Sequence, residues 1–129
     1  MSRERIEFIA KNDQLAHFLG LEILSFEPLL LGMTIKEQHL NALKATHGGT
    51  LFSLADCAFA MASNAAGADA VAIDIHMSFM RPTKLGDKIT ASVVEVSRTR
   101  RLGIYRVEIK DSQERIIASF TGTAMVIGS

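Results

Sequence analysis

The sequence contains one cysteine, no tryptophan and no excess charge of either sign. The single cysteine, Cys57, cannot form an intramolecular disulfide, and no Cys/His spacing typical of a zinc site occurs. The 14 basic residues balance 14 acidic ones, whereas a domain that binds a nucleic-acid groove normally carries a basic excess. These absences exclude a disulfide scaffold, and we expect neither a bound metal nor a nucleic-acid partner.

Long apolar runs and targeting segments are also missing. Residues 51–72 are apolar and rich in alanine, but Asp56 and Asp69 interrupt them, and a bilayer strongly disfavours buried carboxylates. The N-terminal residues, MSRER, lack the apolar stretch and the cleavage site of a signal peptide. We therefore expect a cytoplasmic protein without membrane contact.

The sequence does contain a high apolar fraction within the length of one domain. The chain has 129 residues, 48% of them hydrophobic and only two of them proline. This predicts one domain over residues 1–129. A small monomer needs more polar surface than this composition supplies, because its surface-to-volume ratio is high. An interface between copies of the chain would bury the excess apolar surface, so we expect a homo-oligomer.

Hydrophobic periodicity predicts the order helix, two strands, helix, four strands. Apolar residues recur at helical spacing over residues 3–17, and period-two alternation occurs around Pro28, over residues 71–80 and over residues 105–110. Residues 88–97 alternate imperfectly, and residues 115–127 are predicted to form the last strand. Residues 38–46 are predicted to form a polar loop. Residues 48–66 are predicted to form a helix that is apolar on every side, which other protein must therefore surround. Successive strands without intervening helices indicate an antiparallel α+β domain, and one apolar helix inside a curved sheet is the hotdog arrangement.

Asp56 is the only carboxylate within this apolar helix. A buried carboxylate must be paired, hydrogen-bonded or protonated, because an unpaired charge is costly to bury. It belongs to a stripe of small side chains spaced three and four residues apart, namely Gly49, Ser53, Asp56, Ala60 and Ser63. Asp56 is either a catalytic group or a satisfied structural aspartate at a close helix contact.

The segment Thr46-His47-Gly48-Gly49 begins the same helix. The first N–H groups of a helix have no internal acceptor and lie at the positive end of its dipole, so they suit an oxyanion or a polarised carbonyl. Glycine allows another group to approach this backbone closely. The alternative is an ordinary tight helix entry, with His47 as a satisfied polar residue.

Helix geometry separates Gly48 from Asp56 within one chain. Their spacing in the sequence corresponds to about 12 Å along a helix axis, too far for both to touch one small carbonyl. If both act on it, they must come from different subunits, with two helices antiparallel across a two-fold axis. The candidate chemistry therefore requires an interface between subunits. The apolar composition independently leads us to expect the same.

These residues together resemble the signature of the phenylacetate-pathway (PaaI-type) hotdog thioesterases. The pattern is Asn41, His47-Gly48-Gly49 and Asp56, and the likeness continues through Phe79-Met80-Arg81-Pro82 and Leu85-Gly86-Asp87. The resemblance implies an acyl-CoA thioesterase in which the Gly48 N–H binds the thioester carbonyl. It implies that Asp56 of the neighbouring subunit is the nucleophile or the general base, and that Asn41 and His47 position the carbonyl, the water or the sulfur. It also implies a dimer or a tetramer, a dimer of dimers.

Two positions of this motif leave alternatives open. Asn41 is either a positioning residue or the cap of its loop. Relatives often carry Thr or Ser directly after the aspartate, where this chain has Cys57, a weaker hydrogen-bonding group. A buried thiol beside a carboxylate has a raised pKa, so we interpret Cys57 as a packing residue and not as the nucleophile.

Basic residues near two turns are candidate contacts for the polyanionic nucleotide of CoA. The expected substrate-binding set comprises Gly49, Arg81, Pro82, Lys84, Arg98, Arg100 and Arg101. The alternative for each charge cluster is a solvated hairpin tip. No glycine-rich phosphate loop occurs, so we expect CoA as part of the substrate and no bound cofactor.

The sequence thus leaves two functions open, an acyl-CoA thioesterase and a non-catalytic acyl-CoA binder or sensor on the same fold. Asp56 and the His47-Gly48 pair favour the enzyme, because binding alone does not require a carboxylate aimed at a thioester. The acyl group, aromatic or medium-chain, is not specified. We expect its pocket walls to come from Phe52, Phe59, Met77 and Phe79.

Overall fold

The computed structural model describes residues 2–128, which form three α-helices, one short 3₁₀ helix and six strands. In chain order these are α1 (Arg3–Asn12), α2 (Gln14–Leu19), β1 (Glu22–Phe26), β2 (Leu29–Thr34), the 3₁₀ helix (Glu37–His39), α3 (Gly48–Asn64), β3 (Ala70–Phe79), β4 (Lys88–Arg98), β5 (Leu102–Lys110) and β6 (Ile116–Val126). The predicted order of elements is confirmed from β1 onward. The N-terminal segment differs from the prediction.

The single helix predicted over residues 3–17 is wrong, because this segment forms two helices that meet at Asp13. The backbone of Asp13 is extended, and its carboxylate accepts hydrogen bonds from the N–H groups of Leu15 and Ala16 at 2.9 and 3.1 Å. Aspartate is a preferred N-cap, since its side chain satisfies N–H groups that a helix leaves free. This local preference outweighs the continuous apolar pattern.

All six strands form one antiparallel sheet in the order β1-β2-β4-β5-β6-β3. The alternation predicted on β5 is confirmed, since Tyr105, Val107 and Ile109 are buried. α3 packs against this buried face, where the ring of Phe59 contacts Tyr105 and Phe120. One helix against a single antiparallel sheet is the predicted α+β hotdog architecture.

Within one chain, α3 is enclosed on all sides but one, so other parts of the same chain supply most of the predicted covering. Its buried positions face the sheet and helices α1 and α2. One side remains open along a line of exposed or half-buried residues, Gly49, Phe52, Ser53, Asp56 and Ala60, here called the open stripe. The open stripe includes most of the small residues singled out in the sequence, although Ser63 is buried. None of the helices in residues 2–128 is long and apolar enough to cross a membrane.

Within residues 2–128, β3 forms one edge of the sheet and pairs with β6 alone. Its side chains are largely exposed, including the apolar Val71, Ile73 and Phe79. An exposed apolar edge strand presents unpaired backbone groups that can pair with another chain. α3 contacts β3, so this edge borders the helix that carries the open stripe.

Candidate active site

His47 caps the N-terminus of α3. Its backbone is extended (φ −64°, ψ 135°), and its Nδ1 accepts a hydrogen bond from the Gly49 N–H at 2.8 Å. A Cβ at position 49 would lie 3.0 Å from that nitrogen, so glycine allows the imidazole to reach the helix. Because Nδ1 is an acceptor, the neutral ring carries its proton on Nε2. His47 can therefore offer a donor, whereas the Gly49 N–H is already engaged.

The N–H of Gly48 is the free donor at this helix entrance. It has no acceptor among residues 2–128 and lies at the positive end of the 17-residue helix. Gly48 lines a depression of about 320 Å³ together with Leu51, Phe79, Arg81 and Pro82. The structure thus brings together three of the predicted site residues, Gly48, Arg81 and Pro82.

Two buried threonines lie in the wall of the same depression. The Thr46 N–H donates to the carbonyl of Thr83 at 3.1 Å, which joins the loop before α3 to the turn after β3. The hydroxyls of both residues are buried, and within the described chain neither has a hydrogen-bond partner. A buried hydroxyl without a partner costs about 1–3 kcal/mol. No spacing in the sequence indicates this pair.

Asn41 closes the loop that leads to His47. Its side-chain oxygen accepts hydrogen bonds from the N–H groups of Leu43 and Ala45 at 2.9 and 3.1 Å. The loop-capping alternative is therefore confirmed for this oxygen. The Nδ2 amide of Asn41 bonds to no acceptor in residues 2–128, so it remains a donor that a ligand can use.

A buried histidine, His39, supports the entrance to α3 and was not singled out in the sequence. Its Nδ1 accepts from the Lys36 N–H at 2.9 Å, and its Nε2 lies 3.3 Å from the carbonyl of Phe18. Its own carbonyl accepts from the His47 N–H and the Thr50 hydroxyl at 2.9 and 3.0 Å. The predicted polar loop over residues 38–46 is thus wrong at its start, where His39 lies in a 3₁₀ helix and packs inside the protein.

Asp56 lies half-buried on the open stripe, within the same continuous helix as Gly48. In the described part of the chain no hydrogen-bond donor contacts its carboxylate. Burial raises the pKa of the Asp56 carboxyl above its usual range, and the negative charge of Asp13 raises it further. An unpaired carboxyl with a raised pKa on an accessible face is a candidate general base or nucleophile.

Cys57 is buried, and its Sγ donates to Oδ2 of Asp13 at 3.5 Å. Burial is the main cause that raises the pKa of the Cys57 thiol, and the charges of Asp13 and Asp56 raise it further. The raised pKa predicted from the sequence is confirmed, and it disfavours a nucleophilic thiolate. Within residues 2–128, no group of three or more His, Cys, Asp or Glu side chains is arranged to hold a metal ion.

The predicted basic residues fall into two groups at opposite ends of α3. Arg81 lines the depression beside Gly48, and Lys84 lies in the following turn, where its N–H bonds to Asp87 at 3.0 Å. The second group lines a depression of about 520 Å³ near the C-terminal end of α3 and consists of Arg98, Arg100 and Arg101. Within one chain, the two groups of basic residues lie in separate depressions.

Arg98 is engaged within its own chain. Its guanidinium donates to the hydroxyl of Tyr105 at 2.7 Å, and this hydroxyl donates to Glu95 at 3.2 Å. Tyr105 is buried in the core, and removing a partner from a buried hydrogen-bonded group is destabilising. Arg98 therefore has a structural role that the charge pattern did not indicate.

The four apolar residues expected to form pocket walls occupy different environments. Phe59 is only 2% exposed and belongs to the core, so it does not line an accessible surface. Phe52 and Phe79 are exposed, and Met77 is half-buried on β3. A groove of about 260 Å³ at the α3 entrance is lined by the predicted site residues His47 and Gly49. Its apolar lining comes from Leu15, Phe18 and Leu40, which the sequence did not indicate as pocket walls.

The family described as the thioesterase superfamily matches residues 43–118 of this chain. The acyl-coenzyme A thioesterase PaaI of Escherichia coli K12 is 39% identical over 120 residues, which cover 92% of this chain and 86% of PaaI. The chain therefore belongs to the thioesterase superfamily, and the resemblance to PaaI-type enzymes is confirmed.

Solved structures agree with this assignment. The structure of E. coli PaaI matches with a TM-score of 0.91 at 36% identity, covering 98% of this chain and 93% of that chain. A Streptococcus mutans UA159 protein bound to acetyl CoA matches with a TM-score of 0.81 at 25% identity, covering 84% of this chain and 90% of that chain. The hotdog fold is shared throughout.

Proposed function

We propose that this chain hydrolyses acyl-CoA thioesters to the free acid and CoA. The observation that carries the proposal is an unpaired Asp56 carboxylate on the open stripe of a helix whose first N–H, at Gly48, is also free. The name of the E. coli relative and the acetyl CoA bound to the S. mutans relative support this substrate class.

In this proposal the thioester carbonyl accepts a hydrogen bond from the Gly48 N–H. Negative charge develops on that oxygen as the carbonyl carbon becomes tetrahedral, and the positive end of α3 stabilises it. His47 and Asn41 each retain one donor, Nε2–H and the Nδ2 amide. These donors position the carbonyl oxygen or the attacking water.

Asp56 must be ionised in both chemical routes that this site permits. As a general base it takes a proton from water, whose oxygen attacks the carbonyl carbon; the C–S bond then breaks, and protonated Asp56 returns the proton to the CoA sulfur. As a nucleophile it forms an acyl anhydride and expels CoA, and water then hydrolyses the anhydride. In either route the rate falls as the pH drops through the raised pKa of Asp56.

We further propose that Asp56 and Gly48 of one site come from two subunits. Along one α3 they are about 12 Å apart, so one chain cannot place both on one carbonyl. Two features support an antiparallel pair of chains: the open stripe on α3 and the unpaired edge of β3 beside it. A two-fold axis that joins two β3 edges also places two α3 helices side by side. The tetramer implied by the resemblance is then a pair of such dimers.

For the CoA phosphates, Arg100 and Arg101 are stronger candidates than Arg98. Both are exposed and form no salt bridge within the described chain, whereas Arg98 is bonded to Tyr105. In an antiparallel dimer the C-terminal end of α3 extends past the partner's Gly48, which brings these arginines towards the distal part of the substrate. Arg81 serves the end nearer the thioester.

A panel of thioesters tests the proposed function. We expect thiol release, followed with a thiol-reactive dye, from at least one of phenylacetyl-, hydroxybenzoyl- and medium-chain aliphatic CoA. Calorimetry with the same compounds measures binding independently of turnover. Binding without turnover across the whole panel would contradict the proposal and favour the non-catalytic binder or sensor.

Mixing two inactive variants tests the shared site. A Gly48→Pro chain and an Asp56→Asn chain each break every site in their own homodimers, but a mixed dimer contains one intact and one doubly altered site. After full exchange at equal amounts, half of the dimers are mixed, so we expect about a quarter of wild-type activity. Each variant mixed with itself is the control. If tagged copies co-purify as mixed dimers and activity stays at the level of the separate variants, the site is not shared.

A further inference from the structure

Asp13 lies at the junction of α1 and α2 and contacts Cys57, the residue that follows Asp56 in α3. Its carboxylate is held from two directions. Oδ1 accepts the N–H groups of Leu15 and Ala16, and Oδ2 accepts the thiol of Cys57 at 3.5 Å. These contacts fix the negative charge of Asp13 beside the segment of α3 that carries Asp56.

Among residues 2–128, no basic side chain forms a salt bridge with Asp13 or with Asp56. On α1, Arg5 bonds to the Asn64 carbonyl and to Asp69, at the far end of α3. On α2, the Nε2 of His17 lies 2.6 Å from the Lys11 carbonyl. Neither side chain pairs with Asp56.

The charged side chains on the strands that pack against α3 lie away from the middle of the helix or face away from it. Their buried faces are apolar near the middle of the helix, and the group formed by Glu95, Arg98 and Tyr105 lies at its C-terminal end. On β3, Asp74 and His76 are exposed on the side of the strand opposite to the half-buried Ile75 and Met77. Among the described residues, Asp13 is thus the charge that acts on Asp56.

We propose that Asp13 is a positioning residue for the reaction, which acts on Asp56 through its charge and sets the acid limit of thioester hydrolysis. The inference rests on the proposed role of Asp56 and adds a second carboxylate that does not touch the substrate. The raised pKa of Asp56 supports this inference, because the charge of Asp13 is its second cause after burial.

The direction of the effect follows from charge. A negative neighbour disfavours ionisation of Asp56. The fall of kcat/KM at low pH, here called the acid limb, therefore lies at higher pH than for a carboxylate that is buried alone. The same interaction makes ionised Asp56 a stronger base. Removing the charge of Asp13 shifts the limb to lower pH, while the part of the shift caused by burial persists.

The test compares wild type with Asp13→Asn and Asp13→Ser. Both substitutions keep a side-chain oxygen that can cap α2, so the helix junction is retained while the charge is lost. The comparison is made at the acidic pH where the kcat/KM of wild type is a tenth of its maximum. At that pH we expect the kcat/KM of each variant, as a fraction of its own maximum, to be at least about threefold higher. Two controls keep the charge of Asp13. Cys57→Ala removes the thiol and its hydrogen bond to Asp13, and Glu7→Gln neutralises an exposed carboxylate on α1. In both variants the acid limb is expected to stay in place.

A direct titration separates failure of this inference from failure of the proposed function. The carboxyl carbon of Asp56, assigned by comparison with Asp56→Asn, is followed by ¹³C NMR from acid to neutral pH in the same proteins. A lower midpoint together with a shifted acid limb in both Asp13 variants is the expected result. An unchanged midpoint, or a shifted midpoint with an unmoved limb, would overturn the inference. If wild type hydrolyses no thioester, the proposed function fails, and the NMR midpoint alone decides whether Asp13 acts on Asp56.

Discussion

Asp56→Asn is expected to reduce kcat for acyl-CoA hydrolysis by about 10²–10⁴-fold, the range that a lost general base produces. Asparagine has nearly the same shape as aspartate, but it cannot take a proton from water or form an anhydride. Steady-state thiol release with the preferred substrate of the panel measures the loss. KM should change little, because Asp56 acts on the reacting centre and not on the CoA moiety.

The same substitution should leave the protein at least as stable at neutral pH. The folded state holds the proton of Asp56 more tightly than the unfolded chain, because the pKa of this carboxyl is raised on folding. The stabilisation from proton binding is present at low pH and is lost as the pH rises through the folded pKa. At neutral pH the ionised carboxylate therefore destabilises the fold, and a neutral amide removes that penalty.

Measuring activity and thermal unfolding on the same Asp56→Asn preparation tests whether Asp56 is the general base or nucleophile. Glu7→Gln, which changes an exposed carboxylate to an amide, is the matched control and should keep full activity. An Asp56→Asn protein that is folded, oligomeric and active within tenfold of wild type would exclude Asp56 as the base or nucleophile.

Gly48→Pro is expected to reduce kcat by about 10²–10³-fold, the usual effect of removing one oxyanion donor. Proline removes the N–H that the proposal aims at the thioester carbonyl. Few backbone positions permit so specific a deletion. This one does, because proline is favoured at the first position of a helix and Gly48 occupies that position in α3.

The neighbouring residues also accept proline at this position. Proline restricts the residue before it to extended backbone, and His47 already has φ −64° and ψ 135°. A Cβ at position 48 would meet only the ring of Phe79 at 3.7 Å, an ordinary contact distance. The fold should therefore be retained, with an unfolding temperature close to that of wild type.

Gly48→Ala is the control, since it adds the same Cβ but keeps the N–H. We expect it to keep most of the wild-type activity. Equal losses in Gly48→Ala and Gly48→Pro would show that the added atoms disturb the site and that the N–H is not the oxyanion donor. Full activity in Gly48→Pro would likewise show that the Gly48 N–H is not the oxyanion donor.

Much of the fold could be predicted because local and long-range preferences agree. The alternating pattern of β5 predicts the buried face on which Tyr105, Val107 and Ile109 lie. The same pattern analysis failed at Asp13, where one N-cap hydrogen-bonding arrangement divides a continuous apolar sequence into two helices. A periodicity averaged over many residues does not detect a single side chain that satisfies two backbone donors.

The candidate site could be predicted only in part. Residue type and spacing indicated Gly48 and Asp56, since a helix entrance and a lone carboxylate have physical meaning without coordinates. The contacts of Asp13 with Cys57 and of Arg98 with Tyr105 join residues far apart in the chain, and no periodicity encodes them. For that reason the sequence indicated a charge cluster at Arg98 where the structure shows an internal hydrogen bond.

The exposed edge of β3 has a consequence for how activity depends on the amount of protein. An isolated copy carries half of each proposed site and an apolar strand whose backbone groups face water. Dilution that separates the copies would then abolish catalysis and at the same time leave the apolar β3 edge uncovered. If the site is shared as proposed, activity per copy is expected to fall steeply below the concentration at which the copies associate, and the separated copies are expected to aggregate more readily.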